Sequence, residues 1–170
     1  WALYAQLGGN DVVSDDLKTA QVDVDKAVKA AEYEHDLFAK GFIRKNDPDS
    51  YKTFQSDSAA IIMAGVWATA AWESTPGLDF GAMPVPKIFD REATWGDSHT
   101  IVLPVTKKED PAKRKAAMIF ADWVAANGQI WAKAGHIPSK PSVIEKPEFK
   151  AMPFRSDYVA VADTVKFSKP

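Results

Sequence analysis

Three short apolar segments, each set between stretches with helical character, constrain the fold of this chain most. They cover residues 59–65, 79–85 and 99–105, and each is bounded by polar residues, glycine or proline. The near-continuous apolar character of residues 59–65 predicts a strand of a sheet that is covered on both faces, and the other two segments are predicted to be strands as well. Helical segments on either side of such strands are typical of the α/β class. We therefore expect a mostly helical protein with a small mixed sheet.

Helices are predicted where apolar residues recur at spacings of three and four between a capping residue and a glycine. In the segment 23–40, Asp23 or Asp25 can cap the start, and Gly41 follows the end. The buried face of this helix is predicted to carry Val24, Ala27, Val28, Ala31 and Phe38. The other predicted helices cover residues 1–9, 48–56 with Asp47 as N-cap, 68–73, 111–127, 129–134 and 155–165.

The segment 111–127 has the clearest helical pattern. Asp110 and Pro111 signal its start, and Gly128 signals its end. Trp123 and Trp131 lie on or just after this helix, where packing in the core is the favoured role. Its buried stripe is predicted to be Ala117, Phe120, Ala121 and Val124.

Composition and motifs exclude several classes of function. The 170 residues carry 21 basic and 23 acidic side chains, and the basic ones are too dispersed for a nucleic-acid-binding face. The chain has no cysteine, which excludes disulfides, zinc–thiolate sites and cysteine nucleophiles. His35, His99 and His136 have no metal-ligand spacing, and no phosphate-binding glycine loop or nucleophile elbow occurs. We predict no cofactor, no metal site and no catalytic residue in this chain.

The six tryptophans are the residues that most suggest a binding function. Trp1, Trp67 and Trp95 lie at the ends of predicted elements or in loops, where open α/β sheets form ligand crevices. Flat indole faces suit the C–H faces of sugar rings, while polar neighbours can bond the hydroxyls. Gly65 lets a backbone or a ligand approach closely beside Trp67. On this reasoning Trp67 fits a binding role and a core role equally well, whereas Trp72 is expected in the core.

One motif and the segments around it resemble a known family. The pattern F-x4-A-A-x2-M-x-G-x-W resembles the hallmark of bacterial extracellular solute-binding proteins of sugar-type ABC importers, the maltose-binding-protein-like group. The family often has glycine where Asp57 stands, and a second glycine where Trp95 stands. The motif residues are Phe54, Ala59, Ala60, Met63, Gly65 and Trp67, and similar segments follow in family order at DFGAMPVP (79–86), WGDSHTIVLP (95–104) and residues 110–143.

The resemblance implies part of a two-lobe periplasmic-binding-protein fold that closes on its ligand. Residues 1–78 would form most of one lobe, 79–110 the hinge crossing and strands of the other, and 111–170 helices returning across the hinge. Family members are longer, so we expect this chain to lack an N-terminal part, including a signal peptide, and a C-terminal end. The implied function is non-catalytic binding of a carbohydrate or related polyol for an ABC permease. The implied location is periplasmic or extracellular, including a lipid-anchored cell-surface form.

The resemblance also implies a set of ligand-binding residues. Trp67 would stack on a sugar ring, and Asp97 would accept hydrogen bonds from hydroxyls, although a capping or loop role stays open for Asp97. His136 fits equally well as a partner of loop backbone. The alternatives are a carbohydrate-active enzyme fragment whose catalytic residues lie outside this chain, and an α/β chain whose tryptophans are all core. The full set is Trp1, Gly65, Trp67, Trp95, Gly96, Asp97, Ser98 and His136.

Overall fold

The computed structural model describes residues 1–167, which form two compact units built from separated stretches of the chain. Unit 1 comprises residues 1–63 and 83–97, together with the described chain from residue 160 onward. Unit 2 comprises residues 64–82 and 98–159.

Helix is the main secondary structure, at about 43% of the chain, which agrees with the predicted predominance of helix. Within residues 1–167, no helix is both long and apolar enough to cross a membrane. In chain order the elements are α1 (Ala2–Gln6), α2 (Val24–Ala39), α3 (Ser50–Gln55), a 3-10 turn (Val66–Ala68), α4 (Thr69–Glu73), β1 (Thr94–Gly96), α5 (Pro111–Ala126), α6 (Gly128–Ala132), α7 (Pro141–Ile144), α8 (Pro147–Lys150), α9 (Arg155–Tyr158), α10 (Val161–Thr164) and β2 (Val165–Phe167).

Helix capping follows the sequence signals closely. The carboxylates of Asp23 and Asp110 each accept a hydrogen bond from the backbone N–H three residues later, at 3.3 and 3.0 Å. Gly41 has a φ of 78°, as expected for the residue that ends α2. The prediction for α3 was wrong: Asp49 is its N-cap. The Asp47 carboxylate instead accepts from the Asp49 amide and from a threonine hydroxyl inside the helix.

The predicted sheet was wrong in position and size. Segments 59–65, 79–85 and 99–105 form no strand in the described structure, and Ile61 is 87% exposed. An extended segment needs a neighbouring strand to pair its backbone groups, and apolar character alone does not supply one. The strands that do form in the described residues are β1 and β2, which pair in parallel with Trp95 opposite Lys166. Strand β1 lies outside the three segments predicted to be strands, and β2 begins at the last residue of the predicted helix 155–165.

The core of unit 1 lies between α1 and α2. The Tyr4 hydroxyl accepts from the backbone N–H of Asp23 at 3.0 Å and donates to Asn10 at 2.6 Å, which anchors the start of α2 to α1. The predicted buried face of α2 was largely wrong, because Val24, Val28 and Phe38 are exposed. The residues that pack there are Leu3, Tyr4, Leu7 and Ala30, with Trp1, Ala27, Tyr33, Ile88 and Phe89 around them.

Helix α5 in unit 2 is much more exposed than its pattern predicts. None of its residues is fully buried, and Phe120, predicted for the buried stripe, is exposed. Trp123 and Trp131 are 56% and 53% exposed, so the core role favoured for them was wrong. The contacts made to α5 include lysine tips, such as the Lys146 ammonium donating to the Ala126 carbonyl at 2.8 Å. Such contacts leave the apolar side chains uncovered.

Candidate ligand-binding residues

In unit 1 the predicted aromatic residues meet at strand β2. The Trp1 indole N–H donates to the Lys166 carbonyl at 2.9 Å, and Lys166 pairs with Trp95 across the sheet. The Trp1 ring also lies 5.6 Å from the Tyr4 ring, centroid to centroid. The structure therefore brings Trp1, Trp95 and Gly96 together, although they are far apart in sequence.

Trp1 also borders an open groove between α1 and α2. The groove has a volume of about 300 Å³ and is lined mainly by aliphatic side chains, by Trp1 and by Tyr4. It includes one carboxylate, that of Glu34. An aromatic wall beside a carboxylate can stack a ring and accept hydrogen bonds from it.

The other candidate residues of unit 1, which are Trp95, Gly96 and Asp97, lie in β1 or directly after it. A Cβ atom at Gly96 would collide with the Val165 side chain, so a glycine is needed here for packing within the sheet. Trp95 is exposed, while Thr94 before it is buried, as the alternation of a strand requires. Asp97 is exposed directly after the strand.

In unit 2, Trp67 occupies the 3-10 turn that precedes α4. Its side chain is 52% exposed, whereas Trp72, within α4, is 8% exposed and packs edge-on against Phe80. The core role predicted for Trp72 is confirmed. A Cβ atom at Gly65 would collide with the Trp67 ring, so that ring lies directly over the glycine backbone. The exposure places Trp67 outside the core, and its binding role stays a prediction.

The segments that carry Trp67 and His136 touch through their backbones. Gly135 has a φ of 109°, and a Cβ atom there would collide with the Val66 carbonyl oxygen. The Thr69 hydroxyl donates to that same carbonyl at 2.8 Å. Only glycine permits so close an approach in this conformation, so Gly135 fixes the spacing between the two candidate residues.

His136 belongs to a cluster of three rings. Its ring lies 5.1 Å from that of His99 and 5.5 Å from that of Trp131, centroid to centroid. His99 and Trp131 are 5.7 Å apart. Burial, and to a smaller extent the neighbouring His99, lowers the pKa of His136, so its imidazole is neutral at pH 7. Ser98 is exposed next to His99.

Arg155 is the residue that sequence reasoning missed. It is 2% exposed, and its guanidinium donates to the carbonyls of Ala132 at 3.0 Å and Lys133 at 2.6 Å. It also forms an ion pair with Glu73 at 2.5 Å and donates to the Pro153 carbonyl at 2.9 Å. Arg155 therefore ties the end of α6 to the end of α4, and these helices flank the His136 and Trp67 segments. In the sequence, Arg155 is a single arginine at the start of the predicted helix 155–165, and this pattern is typical of a surface residue.

Tyr158 supports the same segment. Its hydroxyl donates to the Gly135 carbonyl at 2.6 Å, and burial raises the pKa of the phenol, so it remains a donor at pH 7. The turn that leads to His136 is thus held by buried donors on both sides.

A comparison with known proteins identifies the family of this chain. A family model described as bacterial extracellular solute-binding protein matches residues 1–155. This chain belongs to that family. No curated protein and no solved structure gave a match. Membership implies a small-molecule ligand, an ABC transporter as partner and a periplasmic or extracellular location.

Proposed function

We propose that this protein binds a carbohydrate or a related polyol, without converting it, for delivery to the permease of an ABC importer. The observation that carries the choice of ligand is Trp67, whose indole is half exposed on the turn before α4 and lies over Gly65. An indole held in this way offers a flat apolar face with little rotational freedom left to lose. Such a face suits the C–H face of a sugar ring.

Both units offer residue types suited to this ligand. Unit 1 carries Trp1, Trp95 and Asp97, and unit 2 carries Trp67 and His136, with Gly65, Gly96 and Ser98 beside them. A carboxylate accepts hydrogen bonds from sugar hydroxyls, while hydroxyl and neutral imidazole groups can both donate to them and accept from them. Within each unit, these groups support a polyhydroxylated ligand more strongly than an apolar one.

The proposal includes the two-lobe architecture of the whole protein, which would be longer than this chain and exported with a signal peptide. The lobe ranges 1–78, 79–110 and 111–170 stay a prediction. Lobes that close on a ligand reduce the radius of gyration, so small-angle X-ray scattering with and without a bound sugar tests this part. An unchanged radius at saturating sugar would contradict closure.

The central test is binding by calorimetry across a panel of monosaccharides, disaccharides and sugar alcohols. We expect one class to bind without product formation, and Trp67→Ala to weaken binding by about 1–3 kcal/mol, in line with the loss of a buried aromatic contact. Trp123→Ala is the matched control, because Trp123 is exposed to a similar degree, 56% against 52%. A glycan that is hydrolysed would support the carbohydrate-active enzyme instead.

Folding must be checked in the same variants. Trp67 is exposed, so Trp67→Ala should leave the circular dichroism spectrum and the melting temperature nearly unchanged. Loss of the fold in this variant would mean that the indole is mainly a packing residue.

A further inference from the structure

Three rings in unit 2 form a cluster to which the family resemblance gives no joint role. His99 lies in the segment between β1 and α5, Trp131 lies in α6, and His136 lies in the turn after α6. All three ring-to-ring centroid distances fall between 5.1 and 5.7 Å. Each ring therefore lies beside the other two, at interplanar angles of 62°, 85° and 36°, and the three form one aromatic cluster.

We propose that His99, Trp131 and His136 form a second stacking subsite, and that this subsite favours a neutral sugar ring over a phosphorylated or carboxylated one. This inference rests on the proposed function and deepens it. It adds Trp131 and His99 to the ligand-binding residues and defines the charge of the ligand.

The exposure of Trp131 is the first argument. Trp131 is 53% exposed although it packs against two rings, while Trp72 of the same unit is 8% exposed. Its indole therefore combines fixed ring contacts with a large accessible surface. Aromatic side chains of this kind supply contact area at a small cost in conformational entropy.

The chemistry of the His136 imidazole is the second argument. The neutral ring of His136 has one donor and one acceptor, and a sugar hydroxyl is likewise both a donor and an acceptor. A phosphate or carboxylate offers acceptors only, and it is best recognised by cationic or multiple N–H donors. A neutral imidazole beside an indole therefore matches hydroxyls better than an anion.

The rigidity of the support is the third argument. Arg155 holds the carbonyls of Ala132 and Lys133, which directly follow Trp131, and Tyr158 holds the carbonyl of Gly135, which directly precedes His136. Both chain segments are thus fixed by buried donors. A site whose supporting groups are already ordered loses less entropy when the ligand binds.

The same support connects the subsite to Trp67. Gly135 contacts the backbone of Val66, and these residues are the neighbours of His136 and Trp67. A disaccharide is the smallest probe that offers one ring to Trp67 and another to the cluster.

The test compares Trp131→Ala with Trp123→Ala in the purified protein, using a neutral disaccharide that binds the wild type. We expect Trp131→Ala to raise Kd about tenfold, as the loss of a desolvated aromatic contact does, and Trp123→Ala to leave Kd unchanged. Trp131→Phe should restore most of the affinity. Glucose 6-phosphate and glucuronate should bind more weakly than glucose.

A spectroscopic measurement separates contact from indirect effects. With 5-fluorotryptophan incorporated, the resonance assigned to Trp131 should shift when the disaccharide is added, and that of Trp123 should not. One result would overturn the subsite alone. In that case the disaccharide binds more weakly to Trp67→Ala, binds equally well to Trp131→Ala, and does not shift the resonance of Trp131. Tighter binding of glucose 6-phosphate than of glucose would overturn its charge preference, and no binding of any sugar would overturn the proposed function as well.

Discussion

Removal of the Arg155 side chain should destabilise unit 2 strongly. In the variant Arg155→Ala, three backbone carbonyls and the Glu73 carboxylate lose their donors. Arg155 is almost fully buried, and breaking a buried ion pair by removal of one partner costs about 3–5 kcal/mol. The Glu73 side chain is 22% exposed, so water can reach part of it. The loss should therefore lie in the lower half of that range.

Two further variants separate charge from geometry at this position. Arg155→Lys keeps the positive charge, but one ammonium group cannot reach a carboxylate and three carbonyls in different directions. We expect it to cost about 1–3 kcal/mol. Arg91→Ala is the control, because Arg91 is an exposed arginine of unit 1 whose Nε donates to the Ala5 carbonyl at 2.8 Å. Its loss should cost about 1 kcal/mol.

Hydrogen exchange followed by mass spectrometry is the suitable assay, because it reports local stability for each segment. Arg155→Ala should speed exchange in α6 and in the turn before His136, while α2 of unit 1 stays protected. Urea unfolding then gives the free-energy difference. Two results would refute the assignment of Arg155 as the residue that holds α6. One is a loss in the free energy of unfolding below about 1 kcal/mol, which an ordinary hydrogen bond would account for. The other is equal acceleration of exchange in α2 and α6.

Three other predictions concern single residues. Gly135→Ala should destabilise unit 2 by about 3 kcal/mol in urea unfolding, because it combines a positive φ with a backbone collision, whereas Gly77→Ala, with a φ of 81° and open space around it, should cost about 1–2 kcal/mol. Gln6→Leu should cost about 2–4 kcal/mol, because the fully buried amide of Gln6 bonds four backbone groups, and the exposed Gln21→Leu should cost far less in the same assay. The lowered pKa of His136 means that the unfolded state binds more protons, so the melting temperature should fall as the pH drops below about 6.5, and His136→Asn should flatten this dependence.

Local features of the fold could be predicted because their causes lie within a few residues. Asp23 and Asp110 cap helices through the amide three residues later, and Gly41 and Gly135 adopt positive φ at helix ends. In each case the residue type determines the geometry with little help from the rest of the chain. Helices α2 and α5 were therefore located well. Helices α7 and α8 were not predicted, and the predicted helix 155–165 is divided into α9 and α10.

Features that depend on distant partners could not be predicted. The three-residue strand β1 pairs with β2 some seventy residues later, and neither strand is long enough to show a period. The acceptors that surround Arg155 include Glu73, 82 residues away in sequence. For the same reason, apolar spacing located α2 and α5 but did not show which face of each helix would be covered.

The candidate site was predicted unevenly for a related reason. Trp72 was assigned correctly to the core, whereas the residue pattern left Trp67 open and only the family resemblance gave it a role outside the core. Trp131 was assigned to the core because it lies just after α5, and a position on or beside a helix does not reveal an uncovered face. The exposure of Trp131 is visible only once α6 is placed against His99 and His136.

At Gly65 and Gly96, packing within the protein depends on the absence of a Cβ atom. Gly65 and Gly96 were expected to let a ligand approach, yet a Cβ atom at either position would collide with a side chain of this protein, Trp67 or Val165. The absence of a Cβ at Gly65 therefore permits the orientation that the Trp67 ring adopts. If Trp67 is the stacking platform, Gly65 acts on ligand binding through the orientation of that ring, without needing any contact with the ligand itself.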